Sequence, residues 1–365
     1  MEITAAITKE KDGAFVLEKV QLDQPKSMEV LIKIVATGMC HTDMAARDAL
    51  LGSPIPIILG HEGAGIVESV GDHVTKVKKG DHVVLTFGFC GKCPNCLRGK
   101  PAYCYNLWQL NFAGSRPDGS HMHHHKGIKD LHDNFFSQSS FGTYAIAHEN
   151  NVIRVPNDAP LELLGPLGCG IQTGSGAVMN SMKPPAGSSI AVFGTGAVGL
   201  SAVMAAKVAG CTTIIAIDIN DDRLKFAKEL GATHIINSKN ANAADKIKEI
   251  TTYGVDYAFD TTGRPDVINN AITATVSSGM IGIVGVASKP LDIEMNDFVA
   301  RGLTLKGIVE GDSVPDIFIP VLVKLYQQGR FPFDKLIKVY PFDQINQAAM
   351  DSEKGVTIKP VLKMP

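Results

Sequence analysis

This 365-residue chain has almost no excess of positive or negative charge, no long apolar run and few cysteines. Lysine and arginine total 35 and aspartate and glutamate 37, so the formal net charge of -2 gives no electrostatic reason to expect nucleic acid or an anionic membrane as a partner. No apolar run approaches the roughly 18 residues that span a bilayer, and charges interrupt Met1–Lys11, where a secretory signal carries its apolar stretch. We therefore expect a cytoplasmic protein whose partner is a small molecule.

The 7 cysteines are too few and too unevenly spaced for a disulfide scaffold in a chain of this length. Metal binding is therefore the leading explanation for them. A histidine-rich tract raises the same question, but its composition alone favours a surface loop over a metal site. The tract contains His121, His123, His124 and His125.

The first part of the chain alternates short apolar runs with glycine-rich turns, which predicts a barrel-like β region. Its predicted strands are Val30–Ala36, Ile66–Val70 and Asp81–Leu85. From Ser188 onward strands alternate with helices that end near Ala209 and Leu230, and this pattern predicts a parallel, doubly wound sheet. The strands expected there are Ile190–Phe193, Thr213–Asp218, Val255–Asp260, Met280–Val286 and Leu303–Val309.

The length exceeds what one hydrophobic core supports, so we expect two domains. The first covers residues 1–170 and includes a cysteine-rich lobe at about 88–106, and the second covers residues 171–308. The segment 309–365 contains a predicted helix, Phe318–Gln328, and a predicted strand, Gly355–Leu362. Because it is too short to bury a core alone, we expect it to return to the first domain.

A glycine-rich run that starts at Gly194, with the sequence Gly-Thr-Gly-Ala-Val-Gly, follows an apolar strand and opens an alanine-rich helix. In that context Gly194 allows a tight turn, Gly196 lets a pyrophosphate approach the backbone, and Gly199 lets helix and strand pack closely. Asp218 ends the next strand, where a carboxylate accepts hydrogen bonds from ribose hydroxyls and repels the extra phosphate of NADP. The pattern favours an NAD site over a glycine turn without a ligand.

Four cysteines follow the spacing C-x2-C-x2-C-x7-C, namely Cys90, Cys93, Cys96 and Cys104. Four thiolates that converge at this spacing suit a closed tetrahedral zinc site. An iron–sulfur cluster uses the same kind of ligands and is the alternative. Because zinc held in this way has no open position, we predict that it is structural and not catalytic.

The three other cysteines differ in their surroundings. Cys211 precedes an apolar strand and fits a buried core thiol. Cys40 and Cys169, together with His61, would give two thiolates and one imidazole, although each alone is more typical of packing. That ligand set leaves a fourth zinc position open for an alcohol, whose pKa the metal lowers before hydride passes to nicotinamide. Asp43 is the candidate carboxylate for the second ring nitrogen of His61.

These motifs together resemble the zinc-containing medium-chain alcohol dehydrogenases over nearly the whole chain. The shared features are Cys40-x-Thr42-Asp43, Gly60-His61-Glu62-x-x-Gly65, the four-cysteine lobe, Cys169 with Thr173, and the glycine run with Asp218. The resemblance implies a GroES-like catalytic domain, an NAD-binding Rossmann domain and two zinc ions per subunit, one catalytic and one structural. It also implies a homodimer or homotetramer joined through the edges of the cofactor-domain sheets.

The resemblance further implies that Cys40, His61 and Cys169 hold the catalytic zinc, with Glu62 nearby and Thr42 as the hydroxyl that accepts the alcohol proton. Many relatives have a histidine that passes this proton on, where this chain has Ala45, so the proton must leave by another route. The residues assigned to the cofactor are His41, Thr173, Gly194, Gly196, Gly199, Asp218, Arg223, Val286 and Lys359.

Two of these assignments involve basic contacts to the pyrophosphate. His41 stands where the family often has arginine, and an imidazole holds the cofactor less tightly than a permanent cation. Lys359 matches a second basic contact. Arg223 fits a lone surface arginine equally well.

Within the family, Met39–Asp43, Phe136–Phe141 and Gly165–Thr173 are similar to aryl- or benzyl-alcohol dehydrogenases. We therefore expect reversible NAD-dependent oxidation of an aromatic primary alcohol. The candidate pocket residues are Leu51, Phe87, Phe135 and Phe136, although aromatic residues are by default core.

Other functions remain as alternatives at this stage. Zinc alcohol dehydrogenases for terpene, aliphatic or polyol alcohols or for S-hydroxymethylglutathione share nearly all of these motifs. A non-enzymatic zinc and nucleotide-binding relative would lack at least one of Cys40, Thr42, His61 and Cys169, all of which are present. A zinc-free reductase would lack the four-cysteine lobe.

Overall fold

The computed structural model describes residues 1–287 and 289–365. The chain forms two compact units. The first unit contains Met1–Gly170, Val314–Gln327 and Asp334–Pro365, and the second contains Ile171–Ser313 and Gln328–Phe333. The second unit thus includes residues 309–313 and 328–333, which the sequence predicted to return to the first domain.

The strands are β1 (Glu2–Thr8), β2 (Phe15–Leu22), β3 (Glu29–Gly38), β4 (Ile57–Ile58), β5 (Glu62–Val70), β6 (His82–Leu85), β7 (His123–His124), β8 (Tyr144–His148), β9 (Val152–Arg154), β10 (Ser189–Phe193), β11 (Thr213–Asp218), β12 (His234–Asn237), β13 (Val255–Asp260), β14 (Thr275–Ile283), β15 (Thr304–Gly307), β16 (Ile337–Pro341) and β17 (Lys359–Lys363).

The α-helices are α1 (His41–Arg47), α2 (Pro94–Leu97), α3 (Leu107–Asn111), α4 (Leu161–Leu164), α5 (Gly170–Gly176), α6 (Ala197–Ala209), α7 (Asp221–Leu230), α8 (Ala243–Thr251), α9 (Pro265–Ala274), α10 (Met295–Ala300), α11 (Pro315–Gln327) and α12 (Ile345–Glu353). Among the described residues, none of the helices combines the length and apolar character needed to cross a bilayer.

The first unit is built on two sheets, which agrees with the predicted β-rich domain. One has the order β4-β1-β2-β7, and the other has the order β16-β17-β3-β5-β6-β9, with β8 also paired to β3. Strand β3 is mostly apolar and mostly buried, and it pairs with β5 on one side and with β17 on the other. Its carboxyl end delivers the chain to α1, and this junction positions Cys40.

The second unit contains the predicted parallel sheet, in the order β12-β11-β10-β13-β14-β15. Strand β10 pairs with β11 on one side and with β13 on the other, so the order reverses at this strand. In such sheets the crevice outside the carboxyl ends of the strands is the usual ligand site. The glycine run lies at this position, between β10 and α6.

Three predicted strands are displaced. Strand β14 begins five residues before the expected Met280 and ends at Ile283. After this strand the backbone brings Gly285 against Gly263, where a side chain on Gly285 would lie 2.1 Å from the Gly263 nitrogen. Strand β15 covers only Thr304–Gly307 of the expected range, and β17 is Lys359–Lys363 instead of Gly355–Leu362.

The histidine tract is only partly the predicted surface loop. His123 and His124 form β7, which pairs with the end of β2. His123 is 1% exposed, and Asp133 accepts a hydrogen bond from its backbone N–H at 2.8 Å and contacts its ring Nδ1 at 3.1 Å. Within the part of the chain that the structure describes, no potential metal-ligand cluster includes a residue of this tract.

Candidate metal centres and dinucleotide site

Cys40, His61, Glu62 and Cys169 converge in the first unit, with potential ligand atoms all within 4.8 Å of one another. Cys40 is the N-cap of α1, and Cys169 follows a turn of 3-10 helix, Gly165–Gly168. His61 and Glu62 are fully buried at the start of β5. Residues far apart in the sequence therefore bring two thiols, an imidazole and a carboxylate to one point.

Asp43 organises this cluster through its two carboxylate oxygens. Its Oδ1 contacts His61 Nδ1 at 2.8 Å and accepts from the Gly60 N–H at 3.1 Å, while its Oδ2 accepts from the Cys40 N–H at 2.9 Å. Because Nδ1 of His61 faces a carboxylate, it carries the ring proton and leaves the lone pair on Nε2. That Nε2 is buried and has no hydrogen-bond partner, as a metal ligand requires.

The electrostatics also suit a cation. The hydrogen bond with the Cys169 thiol holds the pKa of Cys40 well below its usual range against the opposing effect of burial. For His61, burial lowers the pKa, but the nearby Asp43 carboxylate prevails and raises it well above the usual value. A metal ion binds thiolate and neutral imidazole, so a divalent cation would replace any proton that Cys40 and His61 carry.

Lys359, which the sequence predicts as a basic contact to the pyrophosphate, forms an ion pair with Glu62. It is 2% exposed, and its Nζ contacts Glu62 Oε1 at 2.9 Å and Oε2 at 3.0 Å and donates to the Met39 carbonyl at 3.2 Å. Glu62 also accepts from the Gly170 N–H at 3.1 Å. Burial raises the pKa of Glu62 despite this cation. Lys359 therefore neutralises a buried carboxylate beside the metal ligands.

The other predicted residues near Cys40 lie on α1. Thr42 is partly buried, and its Oγ1 is 3.8 Å from the Cys40 sulfur. His41 is exposed at the first residue of the helix, and Ala45 follows one turn after Thr42. The structure thus places the predicted proton acceptor beside a predicted ligand, with no titratable group at Ala45.

Aromatic rings cover the imidazole of His61. Phe136 stacks on it with a centroid distance of 4.4 Å and an interplanar angle of 28°, and Phe135 meets its edge at 5.6 Å. Phe112 contacts both phenylalanines, at 6.0 and 5.2 Å, and Trp108 stacks on Phe112 at 4.5 Å. The predicted pocket residues Phe87 and Leu51 belong to the same hydrophobic cluster. The metal cluster is therefore bordered by aromatic rings on the side of His61.

The four-cysteine lobe brings its sulfurs to the spacing of a single metal ion. Cys93 is 3.5 Å from Cys96 and 3.9 Å from Cys104, and Cys90 is 4.0 Å from Cys96. A tetrahedron with zinc–sulfur distances of about 2.3 Å has edges of about 3.8 Å. A multi-iron core would hold the sulfurs further apart. Hydrogen bonds from the backbone amides of Cys96 and Tyr105 lower the pKa of Cys93 to about 6, which favours the thiolate.

The glycine run of the second unit offers room and donors for an anion. Helix α6 starts after Gly196 without a side-chain cap, so its first N–H groups are free for a ligand. A Cβ on Gly196 would meet no heavy atom within 4 Å, whereas one on Gly199 would lie 1.8 Å from the Gly194 carbonyl oxygen. Gly194 has φ of +90°. The turn therefore fits a dinucleotide pyrophosphate.

Asp218 lies beside this turn and is already engaged. Its Oδ2 accepts from the backbone N–H and the hydroxyl of Thr195, both at 2.7 Å, and its Oδ1 accepts from the N–H groups of Ile219 at 2.7 Å and Asn220 at 3.0 Å. These donors orient the carboxylate at the carboxyl end of β11, the position of a ribose-binding acid.

The remaining predicted cofactor residues are spread over the second unit. Thr173 lies on α5 and contacts Glu310 at 3.4 Å through its hydroxyl. Arg223 lies in the first turn of α7, and its buried Nε has no hydrogen-bond partner. Val286 follows β14 and is 86% exposed.

Two residues with specific contacts were missed by the sequence reasoning. Thr195 lies inside the glycine run, but the motif assigns it no role, and its bond to Asp218 became evident only from the fold. Gln138 lies in the run Phe136–Phe141, which carried the resemblance to aryl-alcohol enzymes. Its carboxamide contacts the backbone on both sides of Glu62. In the sequence, the signal that could have found Gln138 was its amide side chain in a motif that had no assigned role.

Comparison with known proteins is consistent with both units. Residues 26–157 match the family model described as the alcohol dehydrogenase GroES-like domain, and residues 197–327 match the one described as zinc-binding dehydrogenase. A geraniol dehydrogenase from Castellaniella defragrans is 45% identical over 362 residues, which cover 98% of this chain and 96% of that protein.

Solved structures resemble the whole chain. A benzyl alcohol dehydrogenase from Acinetobacter calcoaceticus has a TM-score of 0.97 and 50% identity, with 100% of both chains covered. An alcohol dehydrogenase zinc-binding domain protein from Burkholderia ambifaria has a TM-score of 0.98 and 53% identity, with 100% of this chain and 99% of that chain covered.

Proposed function

This chain belongs to the zinc-containing medium-chain alcohol dehydrogenase family, and on that premise we propose that it oxidises an aromatic primary alcohol of the benzyl alcohol type to the aldehyde. The family fixes the coarser function: the protein is an oxidoreductase that acts on alcohols with zinc and NAD as cofactors. The two cysteine-containing clusters support two zinc ions per subunit, one at each cluster.

The aromatic surroundings of His61 are the observation that carries the proposal. Three phenylalanine rings and a tryptophan continue outward from the imidazole through ring contacts. We expect an alcohol bound at the cluster to place its carbon chain against these side chains. Aromatic pairs contribute about 0.5–1.5 kcal/mol beyond the burial of area, so this wall favours a ring over a polyol, whose hydroxyls would lose their hydrogen bonds to water.

When bound, zinc supplies a Lewis acid that acidifies the alcohol, and NAD supplies the hydride acceptor. In our proposal Cys40, His61 and Cys169 hold the metal, and Asp43 keeps the His61 tautomer that leaves Nε2 available. Thr42 accepts the hydroxyl proton of the alcohol. Since Ala45 has no titratable group, the proton leaves Thr42 without help from that position.

A terpene alcohol is the second candidate, because geraniol dehydrogenase is 45% identical over almost the full length. Geraniol and benzyl alcohol share an unsaturated carbon next to the carbinol carbon. An apolar wall accepts both, and they differ in that only benzyl alcohol brings an aromatic ring to these phenylalanine side chains.

Steady-state kinetics distinguish these candidates. With NAD we expect kcat/KM to be highest for benzyl alcohol among benzyl alcohol, geraniol, ethanol, sorbitol and S-hydroxymethylglutathione, and with NADP we expect it to fall strongly. A higher value for sorbitol or the glutathione adduct would contradict the aryl proposal, and a higher value for geraniol would favour the terpene alternative.

A pair of variants tests the role of the wall. Phe136→Leu should raise KM for benzyl alcohol several-fold and leave that for ethanol nearly unchanged. Phe15→Leu is the matched control, because Phe15 also forms an edge-to-face pair in the first unit, with Phe141 at 5.6 Å, but is not part of the rings around His61. Equal effects of the two variants would contradict a specific role of Phe136.

We also propose that the protein is a homodimer or homotetramer paired through the edge strand β15. This strand is last in the order of its sheet, and its residues Thr304–Gly307 are exposed or partly exposed. Sedimentation of the purified protein should give a dimer or tetramer mass, and a monomer at micromolar concentration would contradict the proposal.

A further inference from the structure

Residues Asn134–Phe141, here named the strap, have a backbone that few sequences adopt. Side chains other than glycine occupy the left-handed region at four positions, with φ of 60°, 52°, 54° and 48° at Asn134, Phe136, Ser137 and Ser139. Such conformations persist only where the surroundings hold them, and they cluster at functional sites. The strap is buried over almost its whole length.

Two serines of the strap, one on each side of Gln138, bind neighbouring backbone. The Ser137 hydroxyl donates to the Leu110 carbonyl at 2.7 Å, and the Ser139 hydroxyl donates to the Ile58 carbonyl, also at 2.7 Å. Between them the fully buried Gln138 points toward the metal-binding segment. The strained backbone therefore places this carboxamide, in addition to the Phe135 and Phe136 rings that contact His61.

Every polar atom of the Gln138 side chain contacts backbone beside the predicted ligands. Its Oε1 accepts from the Gly63 N–H at 3.1 Å, and its Nε2 donates to the His61 carbonyl at 2.9 Å. These two groups flank Glu62. The same Nε2 donates to the Thr86 carbonyl at 3.1 Å, immediately before Phe87.

Thr86 extends this connection to the third ligand. Its hydroxyl donates to the Gly168 carbonyl at 2.8 Å, next to Cys169. Gln138 thus joins the segment that carries His61 to the segment that precedes Cys169. Partners that orient metal ligands typically change metal affinity by about 10–100-fold when they are removed.

We propose that Gln138 is a positioning residue of the catalytic metal centre, which fixes the His61 backbone and couples it through Thr86 to the Cys169 segment. This inference rests on the proposed metal centre. Asp43 orients the imidazole ring, whereas Gln138 fixes the chain that carries it, so each controls a different degree of freedom.

Zinc release to EDTA from the zinc-loaded full-length protein tests the inference, with the four-cysteine zinc as an internal reference. Gln138→Met has a side chain of similar length without hydrogen bonds, and it should release the Cys40–His61–Cys169 zinc about tenfold faster or more. Release from the four-cysteine site should not change. With Co²⁺ in place of zinc, the same variant should shift the ligand-field absorption bands of the catalytic site.

Ser137→Ala is the matched control, because it removes the hydrogen bond to the Leu110 carbonyl from the same strap without touching the ligand segments, and it should leave release and spectrum unchanged. An unchanged rate in Gln138→Met, or an equal acceleration in Ser137→Ala, would overturn the inference. If Gln138→Met does not fold, Gln138→Glu keeps the acceptor for Gly63 and loses both donors, and wild-type release from it would overturn the inference. If the wild-type protein binds no zinc at the catalytic cluster, the proposed metal centre itself fails.

Discussion

Lys359 and Glu62 form a buried ion pair whose energetics the structure makes predictable. Both side chains are at most 3% exposed, and the Nζ lies 2.9 and 3.0 Å from the two carboxylate oxygens. A carboxylate or ammonium without its partner in such a place is costly, typically about 3–5 kcal/mol. Lys359→Met removes the cation and leaves Glu62 with the hydrogen bond from the Gly170 N–H at 3.1 Å.

A double-mutant cycle measures the coupling energy between Lys359 and Glu62. Lys359→Met should lower the free energy of unfolding by about 3–5 kcal/mol, and Glu62→Gln should also destabilise, because it leaves the lysine buried. The double variant should be less destabilised than the sum of the two by about 2 kcal/mol or more, since it contains no unpaired charge. Urea unfolding of the zinc-loaded protein, followed by circular dichroism, measures all four corners.

The exposed pair Lys246–Glu249 is the control, with side chains 47% and 61% exposed. Its cycle should give a coupling below about 0.5 kcal/mol, because solvent screens exposed pairs. If the effects at Lys359 and Glu62 are additive within about 0.5 kcal/mol, the two charges do not depend on each other and the reasoning is refuted.

Three further predictions follow from other parts of the molecule. Gly196→Ala should leave the Tm unchanged, because its Cβ meets open space, and should raise the NADH dissociation constant about tenfold or more in a fluorescence titration. Gly199→Ala should lower the Tm, because its Cβ would lie 1.8 Å from the Gly194 carbonyl oxygen. Equal losses of Tm in the two variants would contradict the roles assigned to these glycines. Asp43→Asn should reduce zinc affinity at the catalytic cluster about 10–100-fold in a chelator competition, and unchanged affinity would contradict its role. The interaction with Asp133 raises the pKa of His121 against the effect of burial, so the stability it contributes is complete below the unfolded pKa of about 6.5 and is lost as pH rises through the folded pKa. His121→Asn should therefore lower the free energy of unfolding in urea by about 1 kcal/mol near pH 5.5 and by almost nothing near pH 9. A larger loss at pH 9 than at pH 5.5 would contradict this direction.

Local patterns were sufficient where short-range chemistry decides the structure. The glycine run predicted the helix that spans Ala197–Ala209, because turn and helix start are fixed by adjacent residues. The C-x2-C-x2-C spacing similarly brings its thiols together through one short loop. Strand β14 was misplaced because its first half, Thr275–Gly279, is polar and glycine-containing, and its position depends on pairing with β13.

Contacts between distant residues escaped the sequence. Lys359 pairs with Glu62 across 297 positions, and no local pattern predicts that ion pair. His123 is buried, and Asp133, ten residues later, accepts a hydrogen bond from its backbone and lies against its ring. Gln138 reaches its partners only because the strap folds back over β5. In each case burial brings together polar groups that the sequence separates.

The central claim is that Cys40, His61 and Cys169 form the catalytic metal centre of an alcohol dehydrogenase. Metal analysis together with turnover of benzyl alcohol in Cys169→Ser tests it most directly, with NADH binding as the check that the second unit is intact. We predict loss of the catalytic zinc, retention of the four-cysteine zinc, unchanged NADH binding and no turnover. Undiminished turnover with both zinc ions retained would contradict the account.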